Sequence, residues 1–518
     1  MTTINSLADL IEEGLITHAN KPAFHCLGQT LTFAQIDQKS QALAVWLQQQ
    51  SGLNAGDRIA IQLPNIIQYP IAAYGALRAG LVLVNTNPLY TTREMQHQFS
   101  DSGAKAIIIL ADLYPKLEAI LSQTDIEQVI VTHATDLIAP EKSSEAPKGA
   151  LRLIDIMSDD STGTLEARQN QSLNDVCALQ YTGGTTGVSK GAMLSNGNII
   201  SNARQTFSRL KLDPKVGGEI FVCPLPLYHI YAFTVNMVMF ACNGNMNILI
   251  PNPRDIEGFI QAIKPFQFTG FAGLNTLFIG LCSHPDFKAL DFSQLKMTIS
   301  GGTALTSSAA DIWRQVTGCS ISEGYGLSET SPVLSINEPG KEVLGTVGKP
   351  LPDTIIKFVD SQGNEVKKGE EGELIASGPQ VMLGYWKRED ETKKAMTSDG
   401  FFKTGDIGLE LESGHIKIVD RLKDMVVVSG FNVYPNEVEQ IITQHPNVLE
   451  AAVIGEPCEH SGEKVCAYIT VSKPVSEQEL ISYCREYLTG YKVPKKVVIL
   501  EELPKSTVGK ILRRELRK

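Results

Sequence analysis

Short apolar runs take turns with helical patterns along most of this chain, and that alternation confines it to an α/β architecture. From Arg58 onward the order reads RIAIQLPN, a helical IIQYPIAAYGALRAG, LVLVNTNP, a polar helix near TREMQHQFSDSG, and KAIIIL. A polar stretch from Ala134 to Asn174, containing APEKSSEAPKG, reads as an exposed and mobile connection. The alternation then resumes, with EIFVCPLPL, MNILIP, FTGFAG and KMTISGG as strands and IEGFIQAIKPF and SSAADIWRQVTG as helices. Two α/β layers are therefore expected, one on either side of the connection.

Beyond Gly345 the pattern changes. Short strands joined by turns, as in TIIKFVDSQGNEVKKGEEGELIASG, predict an antiparallel or barrel-like subdomain. After Asp420 a compact unit is expected: a helix from Pro435, strands at AAVIGE, KVCAYITV and KVVILEEL, a helix near EQELISYCREYL, and a basic terminal helix. The fold class is α/β, with a large N-terminal domain of two α/β subdomains plus a small β-barrel-like subdomain, followed by a small α+β C-terminal domain. No internal repeats interrupt this plan.

At 518 residues, 43% apolar and 20% charged, the chain suits several packed units. A net charge of −11 argues against nucleic acid as a partner, because binding a phosphate backbone calls for a basic balance. Nine Cys stand singly from Cys26 to Cys484, which fits reduced thiols and offers neither a disulfide framework nor a metal site. The N-terminal MTTINSLADLIEEG is acidic where a signal peptide is basic, so a cytoplasmic location is expected. Ile220 to Ile250 is apolar but broken by Pro224, Pro226, His229, Asn236, Asn243 and Asn245, unlike a bilayer span. Peripheral contact with the inner membrane and a homodimer stay open.

The stretch YTGGTTGVSKG, Tyr181 to Gly191, combines three features that anion binding demands of a loop. Gly183, Gly184 and Gly187 can take positive φ and turn backbone N–H groups toward one anion. Thr182, Thr185, Thr186 and Ser189 add hydroxyl donors, and Lys190 adds a point charge. The preceding VCALQY reads as a buried strand, so the loop leaves a strand end, where α/β proteins bind ligands. The spacing is not that of a Walker loop, since no Gly is followed five residues later by Gly-Lys-Ser/Thr. A flexible Gly/Thr turn is the plainer alternative. A second segment, EGYGLSETSP from Glu323 to Pro332, sets Tyr325 to stack on a purine, Ser328 to donate to phosphate, and Glu329 to hold Mg2+ against phosphate oxygens. Alone, Glu329 reads equally as a solvated carboxylate.

These two segments, with KTGD (Lys403 to Asp406), DRLKDMVVVSGFNVYPNEVE (Asp420 to Glu439) and PKSTVGKILRREL (Pro504 to Leu516), resemble the adenylate-forming superfamily. Within it, PLPLYHI and VSGFNVYPNE are most similar to bacterial long-chain fatty-acid–CoA ligases. The resemblance implies ATP-dependent activation of a medium- to long-chain fatty acid to acyl-AMP, then transfer to CoA, with ATP, Mg2+ and CoA required. It implies domain boundaries at 1–420, a hinge at 421–423, and a mobile small domain at 424–518.

By the same resemblance, Asp406 and Arg421 bind ribose hydroxyls, although a structural ion pair would explain them too. Lys510 bridges the acyl carboxylate and the α-phosphate; otherwise it is one more cation in a basic helix. Lys423 is the pivot residue, and Gly430 lines the pantetheine channel in the thioester-forming pose. His229 lies near the acyl carboxylate, where a lone His on an apolar stretch is more often packed in a core. Phe233 falls where some long-chain relatives carry an aromatic gate. Gly301, Gly302 and Thr303 pass close to adenine or carboxylate, and Glu323, Gly324, Tyr325, Gly326 and Ser328 surround the nucleotide. Ser328 replaces the usual Thr, and Glu323 stands where many members carry an amide. The rival readings are a fatty acyl-AMP ligase loading a carrier protein, a peptide-synthetase adenylation domain, and a catalytically dead scaffold. The short run from Arg421 to Pro435, LYHIY in place of an amine-holding Asp, and retention of the charged residues speak against each in turn.

Overall fold

The computed structural model describes residues 4–142, 144–158, 163–168, 171–182, 189–211, 218–458, 460–506 and 511–517. Two large sheets lie back to back. The first has eight strands in the order Gly384–Tyr385, Lys190–Ser195, Val176–Thr182, Val82–Asn85, Arg58–Gln62, Ala104–Leu110, Gln128–Thr132 and Leu151–Arg152. Its pairs from Val176–Thr182 onward are all parallel, and the other two join antiparallel. The second has nine strands, with a parallel centre from Ile321–Gly326 through Met297–Ser300, Gly270–Gly273, Ile220–Cys223 and Met246–Leu249 to Pro22–Cys26.

The apolar runs are continuous because these strands are covered on both faces. Ile59, Ile61, Ala106 and Ile108 pack into the core shared with Phe24, Phe221, Leu249 and Ile299 of the other sheet. The alternate residues Ala60, Ile107 and Ile109 pack outward against Met95 and Phe99 of the helix Thr92–Ser102. Between the sheets runs the helix Gln68–Arg78, every residue of which is buried. Pro70 sits in its first turn, where the missing N–H costs no helical hydrogen bond.

Chain order does not assign the layers as expected. Val176–Thr182, beyond the connection, pairs with Val82–Asn85 in the first sheet, while Pro22–Cys26 and Gln29–Thr32 join the second. Each strand goes where both of its faces find cover, which periodicity along the chain does not encode. The connection is also less exposed than predicted: Leu151–Arg152 extends the first sheet, and Leu153 and Met157 are buried.

Strands Ile355–Val359, Gly372–Ser377, Phe402–Glu410 and Ile416–Arg421 pair consecutively as an antiparallel sheet. The smaller C-terminal unit has the long hairpin Val448–Cys458/Gly462–Val471 at its centre, with Lys496–Ile499 parallel to it and helices Pro435–Ile442 and Glu477–Tyr487 packed against it. The basic terminal helix is only Arg513–Leu516. No helix among the described residues is long and apolar enough to cross a membrane.

Candidate active site

The Gly/Thr loop leaves the C-terminal end of Val176–Thr182 and returns as the antiparallel strand Lys190–Ser195, with Thr182 opposite Lys190. Gly183, Gly184, Thr185, Thr186 and Gly187 lie outside the described residues, as does Lys510. The two ends of the loop are fixed. Lys190 Nζ donates to Glu391 at 2.8 Å and sits 4.7 Å from the centre of the Tyr385 ring. The Tyr385 hydroxyl donates in turn to Glu329 at 2.8 Å.

Glu329 stands in the short turn Ser328–Thr330 after the strand Ile321–Gly326. The approach to that turn is tight: a Cβ on Gly326 would come within 1.8 Å of the Pro332 carbonyl oxygen, so only glycine fits. Tyr325, from the same strand, donates its hydroxyl to Asp406 at 2.5 Å. Burial and the neighbouring Asp406 carboxylate raise the Tyr325 hydroxyl far above its ordinary range, so it remains a donor. Asp406 is buried and also takes Arg421 Nε at 3.0 Å, the two residues facing each other across an antiparallel pair. Arg421 keeps about a third of its side chain exposed. A buried carboxylate and a half-open guanidinium can bind paired hydroxyls, one accepting and one donating.

Glu323 is almost fully buried and accepts the Leu305 N–H at 2.9 Å. Burial pushes its carboxyl up to about 8 in spite of that hydrogen bond. Protonated, it offers one donor and one acceptor, as an amide does. Beside it, Gly301 approaches the Gly324 carbonyl and the Tyr231 ring, while Gly302 and Thr303 lead into the turn before Leu305.

His229 caps the turn Ile230–Ala232, its Nδ1 accepting the Tyr231 N–H at 3.3 Å. Its approach is held by residues that sequence reasoning passed over. Asn65 donates to the carbonyls of Cys223 and Leu225 and accepts from the Leu227 N–H. Gln180 donates to the Tyr228 carbonyl, and Asn85 donates to Gln180. These buried amides tie the C-terminal ends of the two sheets together, the place where open α/β sheets bind ligands. Tyr385 and Glu391 were missed as well. Their GYWKREDE segment carries no phosphate-loop signature, and pairing of Gly384–Tyr385 with Ala192–Met193 brings it to the site.

Phe233 is fully buried at the start of the wide π-helical segment Phe233–Phe240. Lys423 lies in the exposed turn after Arg421. Gly430 stands apart, in the turn between Val426–Val428 and Phe431–Val433. Its φ of +84° is what requires glycine there, since a Cβ would meet nothing within 4 Å.

Sheets with parallel centres whose C-terminal ends carry a glycine-rich loop, a carboxylate turn and a buried Asp–Arg pair have the form of a ligand-binding α/β enzyme. Residues 12–386 match the AMP-binding enzyme family and residues 437–510 match the AMP-binding enzyme C-terminal domain. The chain belongs to the AMP-binding enzyme family. It is 45% identical to the long-chain-fatty-acid–CoA ligase of Salmonella typhimurium, over 99% of this chain and 94% of the relative. It is 36% identical to the enzyme of the same name from Bacillus subtilis, with the same coverage. Among solved structures, the anthranilate CoA ligase AuaEII in complex with anthranoyl-AMP superposes with a TM-score of 0.91 at 26% identity, covering 100% of this chain and 97% of that one. ATP-bound MatB from Rhodopseudomonas palustris gives 0.87 at 28% identity, covering 99% and 98%.

Proposed function

We propose that this enzyme activates long-chain fatty acids with ATP and transfers the acyl group to CoA, giving acyl-CoA, AMP and pyrophosphate. A fatty carboxylate is a poor electrophile: its charge repels nucleophiles and its oxygen leaves badly. Attack of that carboxylate on the α-phosphate forms acyl-AMP and releases pyrophosphate. The CoA thiol then adds to the acyl carbon and AMP departs. Both steps accumulate negative charge on phosphoryl or carboxyl oxygens, so catalysis rests on placed donors and cations.

In this reading Thr182, the loop 183–187 and Lys190 cradle the phosphates. Asp406 accepts from a ribose hydroxyl and Arg421 donates to its neighbour. Glu323 to Ser328, with Gly302 and Thr303, frame the adenine and α-phosphate. His229 faces the acyl carboxylate, and Lys510 bridges it to the α-phosphate. Glu329 suits Mg2+: it is a half-buried hard oxygen donor one of whose oxygens takes the Tyr385 hydroxyl. Among the described residues no group of three His, Cys, Asp or Glu could hold a metal alone, which suits an ion that arrives with the phosphates. Bound there, Mg2+ would neutralise phosphate charge.

The division is 1–420, a hinge at 421–423 around Lys423, and 424–518, with the small domain alternating so that Lys510 serves the first step and Gly430 the second. Membrane contact and a homodimer are compatible with this reading and carry none of its argument. The observation that carries it is the meeting of Lys190, Glu329, Tyr325, Asp406 and Arg421 at one end of both sheets. Loading of a carrier protein is not favoured: the named relatives are CoA ligases, and the segment 421–435 holds only a tight hairpin. The test is Lys510→Ala, which should nearly abolish acyl-AMP formation while leaving thioester formation from supplied acyl-adenylate largely intact. Equal loss in both half-reactions would sink the two-pose assignment.

A further inference from the structure

One aromatic side chain ties the phosphate loop to the carboxylate turn. Tyr385 lies on a two-residue strand pinned to the strand that leaves the loop: Leu383 N–H donates to the Met193 carbonyl at 3.0 Å and Trp386 N–H to the Gly191 carbonyl at 2.8 Å. The same segment reaches Glu329 twice. Met382 N–H donates to the Glu329 carbonyl at 2.8 Å, and the Tyr385 hydroxyl donates to its carboxylate, also at 2.8 Å. The ring face that completes this link carries the Lys190 ammonium. The ring is buried, and its backbone N–H is held by Thr392 Oγ1 at 2.8 Å, so few other orientations are open to it.

We propose that Tyr385 is a positioning residue for the metal–nucleotide site, its hydroxyl aiming the Glu329 carboxylate while its ring face keeps Lys190 beside the phosphates. This rests on the reading of Glu329 as the residue that holds Mg2+. The hydroxyl occupies one carboxylate oxygen and leaves the other to a cation, and a carboxylate fixed by one donor loses less rotational freedom when it binds.

Tyr385→Phe removes the hydroxyl and keeps the ring under Lys190. The readout is the affinity for Mn2+ in the presence of ATP and without fatty acid, taken from the free-Mn2+ electron paramagnetic resonance signal, next to ATP affinity measured in EDTA. Loss of a group that hydrogen-bonds a metal ligand typically lowers metal affinity about 10–100-fold, so Y385F should weaken Mn2+ binding at the low end of that range, about tenfold. ATP binding in EDTA should be unchanged, and adding Y385F to Glu329→Gln should cost nothing further. Wild-type Mn2+ affinity in Y385F, with E329Q impaired, overturns the positioning role alone. Wild-type affinity in E329Q overturns the metal reading of Glu329 itself. Equal weakening of ATP with and without metal in Y385F would mean that the hydroxyl supports the loop and does not aim Glu329, which also refutes the proposal.

Discussion

The Tyr325 hydroxyl donates to the Asp406 carboxylate at 2.5 Å, joining the end of a large parallel sheet to the antiparallel sheet 81 residues further along the chain. Asp406 thereby holds one oxygen on Tyr325 and the other on Arg421. A hydrogen bond to a charged group is worth about 1.5–3 kcal/mol. Tyr325→Phe should therefore raise the KM for ATP about tenfold or more and leave the KM for fatty acid nearly unchanged, read from pyrophosphate release with each substrate varied in turn while the other saturates. An unchanged KM for ATP would separate this pair from nucleotide binding.

Glu323 makes stability depend on pH. Its folded value of about 8 lies above the ordinary 4.5, so between those values the folded protein retains a proton that the unfolded chain has released. The contribution is full below about 4.5 and is lost as pH rises toward 8. Thermal midpoints should fall across that window, and Glu323→Gln, which keeps an acceptor for the Leu305 N–H, should flatten the fall. A wild-type midpoint that rises between about pH 6 and 8 would show that Glu323 ionises normally.

Arg513 anchors the C-terminal segment to the helix Pro435–Ile442 and to Asp424. It bonds Glu439 through Nε at 3.1 Å and Nη2 at 2.8 Å, Asn436 at 2.8 Å, and Asp424 at 3.4 Å. Breaking a largely buried pair from one side costs about 3–5 kcal/mol. Arg513→Ala should lower the melting temperature and, because Lys510 lies three residues before it, reduce acyl-AMP formation more than thioester formation from supplied acyl-adenylate. Parallel loss in the two half-reactions would confine Arg513 to stability.

Phe233 is fully buried in a segment whose eight residues are all buried. Phe→Ala in a core costs about 3–5 kcal/mol, and the space released should shift the chain-length profile if the ring borders the acyl path. Activity measured over even-numbered acids from six to eighteen carbons decides it. An unchanged profile in a folded variant would make Phe233 a packing residue.

The parallel strands were legible because their signal is local, a series of uninterrupted apolar runs. The placement of Pro22–Cys26 in the second sheet and of Val176–Thr182 in the first was not, since pairing partners are chosen by tertiary cover. Asp406 and Arg421 could be named from motifs, but their face-to-face register emerges only from the antiparallel pair. Tyr385 was invisible for the same reason, as nothing in GYWKRED announces a neighbour near Lys190.

The central claim is tested most directly by measuring pyrophosphate and acyl-thioester formation with ATP and Mg2+ over hexanoate, decanoate, palmitate, oleate and benzoate, each with and without CoA. Thioester that forms only with CoA and peaks at palmitate or oleate is the predicted result. Acyl-AMP that accumulates and ignores CoA would contradict it.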